Sequence, residues 1–448
     1  MTGAWQTFKP TDTQPWDLRR VVHLHRSAGF AATWDQVQQD LRDGPDASVD
    51  RLLQGKSSAV MPAAKFEGLS QQLAEGAVVS DDPERLKAWW FFRMLFTPDP
   101  LGERLALMWH NHFATSNAKV MDLGAMHRQN EVFRKLGRAR FGDLLHAMLH
   151  DAALLTWLDA PENRKNHGNE NLGRELMEIF TIGVGNFTED DVKQSARALT
   201  GLSALDGEFR YVAEWHDPSE KIILGQTQTF DADSLCDLLT KHPATSRRIA
   251  WRLCVSFLGK GVVSDAQISE LASGLREHEL DVGWAVETVL RSQLFHSDAN
   301  IGSHVIGPSQ FLVGAARAMQ MSDPPPGTLL LSDWSRRLGQ DLFYPPNVGG
   351  WAEGSSWLTT RGVINRANFA VALVRGELNR AGTAPDLAAI AHRAGHGATT
   401  PDALLFFNEL LLGGRLPQSR LDPIAKQAGD SPADGVALLL ATPEAQLA

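Results

Sequence analysis

Cysteine is nearly absent: Cys236 and Cys254 are the only two in 448 residues. No disulfide framework and no cysteine-rich zinc site can be built from them. One disulfide stays open to the pair, although both lie in apolar helical patterns where a small buried hydrophobe fits. Tyrosine is equally scarce, 2 residues against 13 Trp and 20 Phe. That balance points first to core packing and second to sugar-stacking clefts. A basic excess is missing too, with 43 Lys and Arg against 53 Asp and Glu and a net charge of -10. Such a chain is a poor partner for nucleic acid, whose phosphates need a basic surface. No stretch approaches the roughly 18 apolar residues of a membrane span. Residues 1–30 carry no apolar core of a leader and no small-residue cleavage site, and the Arg19-Arg20 pair is not followed by an apolar stretch. As written, the chain is expected to be soluble and cytoplasmic. Phosphate-binding loops, GxGxxG after a strand, GxSxG and HExxH are all missing, so nucleotide, serine-hydrolase and zincin chemistries lose support.

What the chain does have is helical periodicity. Apolar residues recur at three and four through most segments, and start signals are frequent. Ser80-Asp81-Asp82-Pro83-Glu84 opens one helix, expected to run to Phe96. Another starts at Pro100, and Thr188 ahead of three acidic residues caps a third. Strand signal is confined to Glu208–Trp215 and Lys221–Gln226. The fold class expected is mainly α, a large multi-helix globular domain with a small irregular or β-hairpin insertion near 203–230. Helical pattern breaks most clearly at Ser322-Asp323-Pro324-Pro325-Pro326-Gly327. The division expected is a main helical domain over 1–321 and a C-terminal helical region over 322–448, packed on the first.

Polar residues concentrate in three places. In HGNENLGRELMEIFTIG, residues 167–183, Asn169 is a natural N-cap. At about 100° per residue, Glu170, Asn171, Arg174, Glu175 and Glu178 share an arc of roughly 140°. Glu170 and Arg174 can pair, and Glu175 and Glu178 can share a proton or a cation. The plain alternative is a solvated helix face. The second place is WHNHFATSNAK, residues 109–119, where His110 and His112 point apart on a regular helix and His112, Ser116 and Lys119 form one stripe. The third is WHDPSEK, residues 215–221, which puts His216, Asp217 and Lys221 in one loop. His146 and His150 have same-face metal spacing, but they lie on the polar edge of an amphipathic helix.

These segments, with LHRSAGFAAT, LTKHPATSRRIAWRLCVSFLG and FYPPNVGGWAEGSSWL, resemble the bacterial family catalogued as domain of unknown function 1800. The likeness runs over roughly residues 20–375 and is expected to continue to the end. The family's pattern matches at His25 or its neighbour, His110, His112, Ser116, Lys119, Asn169, Glu170, Arg174, Glu175, Glu178, Thr188, His216, Asp217, Lys221, His242 and Trp351. It does not feature His146 or His150. The resemblance implies no particular reaction. It does imply an export signal in many members, against the cytoplasmic expectation, and a sulfatase-like protein as a partner.

Taken together, the expectation is an enzyme with a polar cleft, acting on an envelope-derived or glycan-like substrate by hydrolysis or group transfer. Glu175, Glu178, His112, His216 and Asp217 are the expected catalytic groups. Arg174, Lys119, Lys221, Trp351 and Trp357 are expected to bind substrate, the two Trp by stacking on sugar. A divalent metal, if used, would sit on His110, His112, Glu170 and Glu175. The rival expectation is a non-catalytic helical partner or maturation module for a sulfatase-like protein, with the polar residues forming a structural network.

Overall fold

Two helices enclosed on almost every side organise this fold. The computed structural model describes residues 3–56, 61–321, 324–379 and 382–448. In it, every residue of Leu86–Phe96 in the helix Pro83–Phe96 is buried, as is all of Pro100–His112 except Gly102. Both start as their sequences suggest. Asp82 accepts from the Glu84 and Arg85 N–H groups, Asp99 from that of Gly102, and proline takes the first helical position. The price of enclosure is one buried carboxylate, Glu103, held by Arg93 at 2.8 Å and Arg134 at 2.7 Å, with the Trp90 indole donating at 3.0 Å. Burial alone would raise that carboxyl, but the two guanidinium groups outweigh it and hold it below the ordinary range.

Among the described residues there are twenty-two α-helices and two small antiparallel hairpins. The fold is mainly α, as expected. Leu123–Leu136, Phe141–Leu149 and Ala232–Lys241 lie where periodicity places them. The helix Trp34–Leu53 carries a kink at Gly44-Pro45. Each of the two strand segments forms its own hairpin rather than pairing with the other. Strand β1 (Leu202–Leu205) pairs with β2 (Glu208–Tyr211), Leu202 opposite Tyr211. Strand β3 (Lys221–Ile223) pairs with β4 (Gln226–Gln228), Lys221 opposite Gln228. Asp206-Gly207 and Leu224-Gly225 supply the positive φ that two-residue turns need.

Ser322 and Asp323, at the expected domain break, lie outside the described residues. On either side of them the chain packs into one continuous apolar cluster. Pro83–Phe96 contacts Thr328–Arg337, and Leu18–Ala28 contacts Thr400–Leu412. Cys236 and Cys254 are both buried free thiols. No described helix is long and apolar enough to cross a membrane.

Candidate functional site

The stretch from Glu170 to Glu178, read above at about 100° per residue, is not one continuous α-helix. Asn171–Glu175 is α-helical, and Leu176–Phe180 is a π turn. Such turns are rare and cluster at functional sites. The Asn169 side chain takes the Asn171 N–H at 3.0 Å at the start. Gly173 lets the segment press against Glu189–Ala198, since a Cβ there would lie 3.0 Å from the Ala196 nitrogen. At the far end the backbone is satisfied from outside. The Arg248 Nε donates to the Ile179 carbonyl at 3.0 Å and the His112 Nε2 to that of Phe180 at 3.1 Å. The Thr181 hydroxyl donates to the Leu176 carbonyl at 2.5 Å. These partners replace bonds a continuing α-helix would have made.

The buried side of this segment is Leu172, Leu176, Met177 and Phe180, as the periodicity predicts, with Ile179 half-buried. The polar side divides in two. Arg174 binds Glu170 at 3.0 Å and reaches Glu189 through two bonds of 3.0 and 2.8 Å. Glu175 and Glu178 take no part in that cluster. The Glu175 Oε2 is buried and has no hydrogen-bond partner. Burial first, then the neighbouring Glu178 charge, raise its carboxyl above the ordinary range against the pull of Arg174. Glu178 faces a cleft of about 670 Å³ between the π turn and the helices Pro243–Leu258 and Asp265–Glu277. Arg247, Arg248, Trp251 and Asn186 line the same cleft. Arg248 and Arg252 lie over the Trp251 ring at 5.5 and 5.4 Å from its centroid. Burial, then Arg252, lower the Arg248 pKa, while Glu178 opposes that shift.

The other expected groups lie elsewhere. His110 is fully buried in an aromatic cage, stacked on Trp351 at 5.2 Å and flanked by Trp90, Phe133 and Phe343. Burial draws its pKa down to about 3. His112 is also fully buried, and burial followed by the Arg252 and Arg248 charges keeps it well below the ordinary histidine range. Lys119 reaches Asp159 at 2.6 Å and the Trp157 carbonyl at 2.7 Å. In the 215–221 loop, the His216 Nδ1 donates to the Thr200 carbonyl at 2.9 Å, and Asp217 pairs with Arg197 at 2.8 Å. Lys221 is buried and donates to the Asp217 and Ser219 carbonyls at 2.6 and 2.9 Å. This loop is tied to Arg197 and Thr200, and none of its residues lines the cleft.

Two expectations therefore need correction. Trp351 and Trp357 do not form an open stacking surface; they are 4 % and 7 % exposed. The Trp351 indole donates to the Asp341 carbonyl at 3.1 Å, and its backbone N–H to the Asn111 side chain at 2.6 Å. Gly350, at φ +84°, makes that approach possible, because a Cβ would sit 2.1 Å from the Asn111 Oδ1. The set His110, His112, Glu170 and Glu175 is not gathered into a chelating group. Among the described residues, no three His, Cys, Asp or Glu side chains are placed to hold a metal. The reason is that His110 and His112 sit in the core, while Glu170 is paired with Arg174.

A family model described as a protein of unknown function (DUF1800) matches residues 23–447. The chain belongs to that family. The DUF1800 match takes in the π turn, the cleft and the 215–221 loop. No curated protein and no solved structure matches the chain. Within this DUF1800 chain, sequence reasoning missed Arg247, Arg248, Trp251 and Arg252. Their signal was present in SRRIAWR: Arg248 and Arg252 are four apart, with Trp251 on the same side of a helix.

Proposed function

We propose that the chain is an enzyme working by acid–base chemistry on a polar substrate held in the Glu178 cleft. The observation that carries this reading is the π turn, which presents Glu178 to the cleft opposite Arg248 with the unpaired Glu175 carboxyl beside it. The Glu175 carboxyl, raised above the ordinary range by burial and by the neighbouring Glu178 charge, can hold a proton beside the group that faces the cleft. Glu178 is the group that meets substrate, and Glu175 is the proton-holding carboxyl next to it. Arg247 and Arg248 hold an anionic or hydroxyl-rich group, and Trp251 offers an apolar face. In a hydrolysis, Glu178 takes a proton from the attacking water, and the leaving oxygen recovers one from the Glu175–Glu178 pair or from solvent. A glycan-like or envelope-derived substrate suits a cleft of this size and polarity.

A panel of nitrophenyl glycosides, esters and phosphates, followed by cell-envelope glycans, tests the reading. Glu178→Gln should abolish any turnover found while leaving the melting temperature within about 2 °C. Turnover that survives this substitution would sink the assignment.

A second reading has an observation of its own: His110, His112, His216, Asp217 and Lys221 are all engaged in internal contacts. That suits a non-catalytic helical partner or maturation module, with a sulfatase-like protein as the partner. Under it, Glu178→Gln changes no activity, and co-purification with such a protein is the decisive result.

A further inference from the structure

Buried arginines in this chain are mostly satisfied from within. Arg26 donates to the carbonyls of Leu411, Ala445 and Leu447 at 2.8 to 3.2 Å. Arg366 donates to the Gln446 side chain at 2.9 Å and the Ile306 carbonyl at 2.8 Å. Arg104 is different. It is 7 % exposed, and its contacts are two long ones, to the Ser27 carbonyl at 3.5 Å and to that of Ser256 at 3.3 Å. Burial draws its pKa down to about 10 with no acid opposing the shift, so at neutral pH it is a buried cation without an anion. Leaving such a charge uncompensated is costly.

Arg104 borders a cavity of about 80 Å³, above the roughly 10–15 Å³ a cavity needs to hold a single water. Beside apolar wall residues such as Leu107, Met108 and Val255, the cavity carries further donors. Lys260 lies at an exposed position on the cavity wall. The Gln340 Oε1 is taken by the Ser309 N–H at 2.9 Å, which leaves its amide hydrogens to donate. Trp357 contributes its indole, and His304 a ring whose Nδ1 is buried without a partner. One acid, Glu353, is also present. Its Oε1 is already held by Arg252 at 2.6 Å and Asn111 at 2.9 Å, so its charge is matched and those of Arg104 and Lys260 are not.

We propose that this cavity is a binding site for a small oxyanion, a carboxylate or a tetrahedral phosphate or sulfate group, held by Arg104 and Lys260 with the Gln340 amide and the Trp357 indole as further donors. A charged acceptor would supply the short, charge-assisted hydrogen bonds that the guanidinium lacks. The site shares no lining residue with the Glu178 cleft and does not rest on the catalytic reading. It also gives Trp357 a role at a ligand, through its N–H rather than through ring stacking.

Titration calorimetry on the full chain tests the proposal, with phosphate, sulfate and acetate each added at millimolar concentration against chloride of equal ionic strength. Saturable one-to-one binding of at least one is expected. Preference for phosphate or sulfate identifies a tetrahedral ligand, and preference for acetate a carboxylate. Lys260→Gln, at an exposed position, should weaken binding about tenfold, the equivalent of one charge-assisted hydrogen bond. Trp357→Phe keeps the ring, loses the N–H and should weaken binding several-fold. Arg104→Gln should abolish it; if that variant does not fold, the other two still decide. No saturable binding of any of the three anions, or binding that Lys260→Gln and Trp357→Phe leave unchanged, overturns the proposal.

Discussion

The His112 Nε2 donates to the carbonyl of Phe180 at 3.1 Å, joining the end of one buried helix to the end of the π turn 68 residues away. The ring therefore serves as a C-terminal cap in its neutral form. Truncating it leaves a buried carbonyl unpaired and a cavity among Trp109, Phe113 and Phe141, which surround it. His112→Ala should lose about 3 kcal/mol of stability, measured by urea unfolding. A loss below about 1 kcal/mol would mean the cap is dispensable.

Acid should destabilise the fold early. Five buried histidines, His23, His110, His112, His296 and His304, are held below the ordinary range, each mainly by burial. The unfolded chain takes up protons on them near pH 6.5, while the native state does so only much lower. Their contribution is therefore complete above about pH 6.5 and is lost as pH falls, at about 1.4 kcal/mol per pH unit for each histidine. Urea midpoints between about pH 7 and pH 5 read the slope. His110→Phe, which suits the aromatic cage, should remove one histidine's share of it.

Glu175→Gln should not destabilise the protein near neutral pH. The folded carboxyl is raised by burial and by Glu178, so its stabilising effect is present in acid and fades as pH climbs through the folded value. Removing the charge should leave stability unchanged or slightly higher near pH 7, with any gain lost in acid. Thermal melts near pH 7 and in acid check this. A marked loss at pH 7 would mean that the ionised carboxylate has a partner in solution.

The Arg252–Glu353 pair should break asymmetrically. The arginine side chain is 7 % exposed and the glutamate 32 %. Glu353→Ala strands a buried cation and should cost about 3 kcal/mol, whereas Arg252→Leu leaves a carboxylate that water can reach and should cost about 1 kcal/mol. Chemical denaturation of both variants reads the order, and a reversed order contradicts the burial argument.

Much of the fold was legible because its signals are local. Pro83 after Asp82, and Thr188 three residues before Asp191, mark helix starts through bonds made within a few residues. Asp206-Gly207 signals a hairpin just as locally, and reading it would have separated the two hairpins. The Glu170–Arg174 pair was legible for the same reason. The π turn was not, because what ends the α pattern at Leu176 comes from His112 and Arg248, far away in the chain. The fates of His110 and Lys221 were hidden too, since a polar residue's type does not reveal whether tertiary packing will enclose it. Arg247, Arg248 and Trp251 read as one more amphipathic helix until the cleft opposite them is seen.

A π turn closes on the fifth residue where an α turn closes on the fourth, so Leu176–Phe180 holds one residue of slack. Helices ordinarily suffer from a single-residue deletion, because everything beyond it rotates by about 100°. Here a one-residue shortening, such as loss of Ile179, would leave a better α-helix and a worse protein. Phe180 would turn away from His112, and the chain leading to Gly183 would swing off the cleft wall. The spare residue is thus an indexing device, setting how far the carboxylates are turned relative to the helix that faces them.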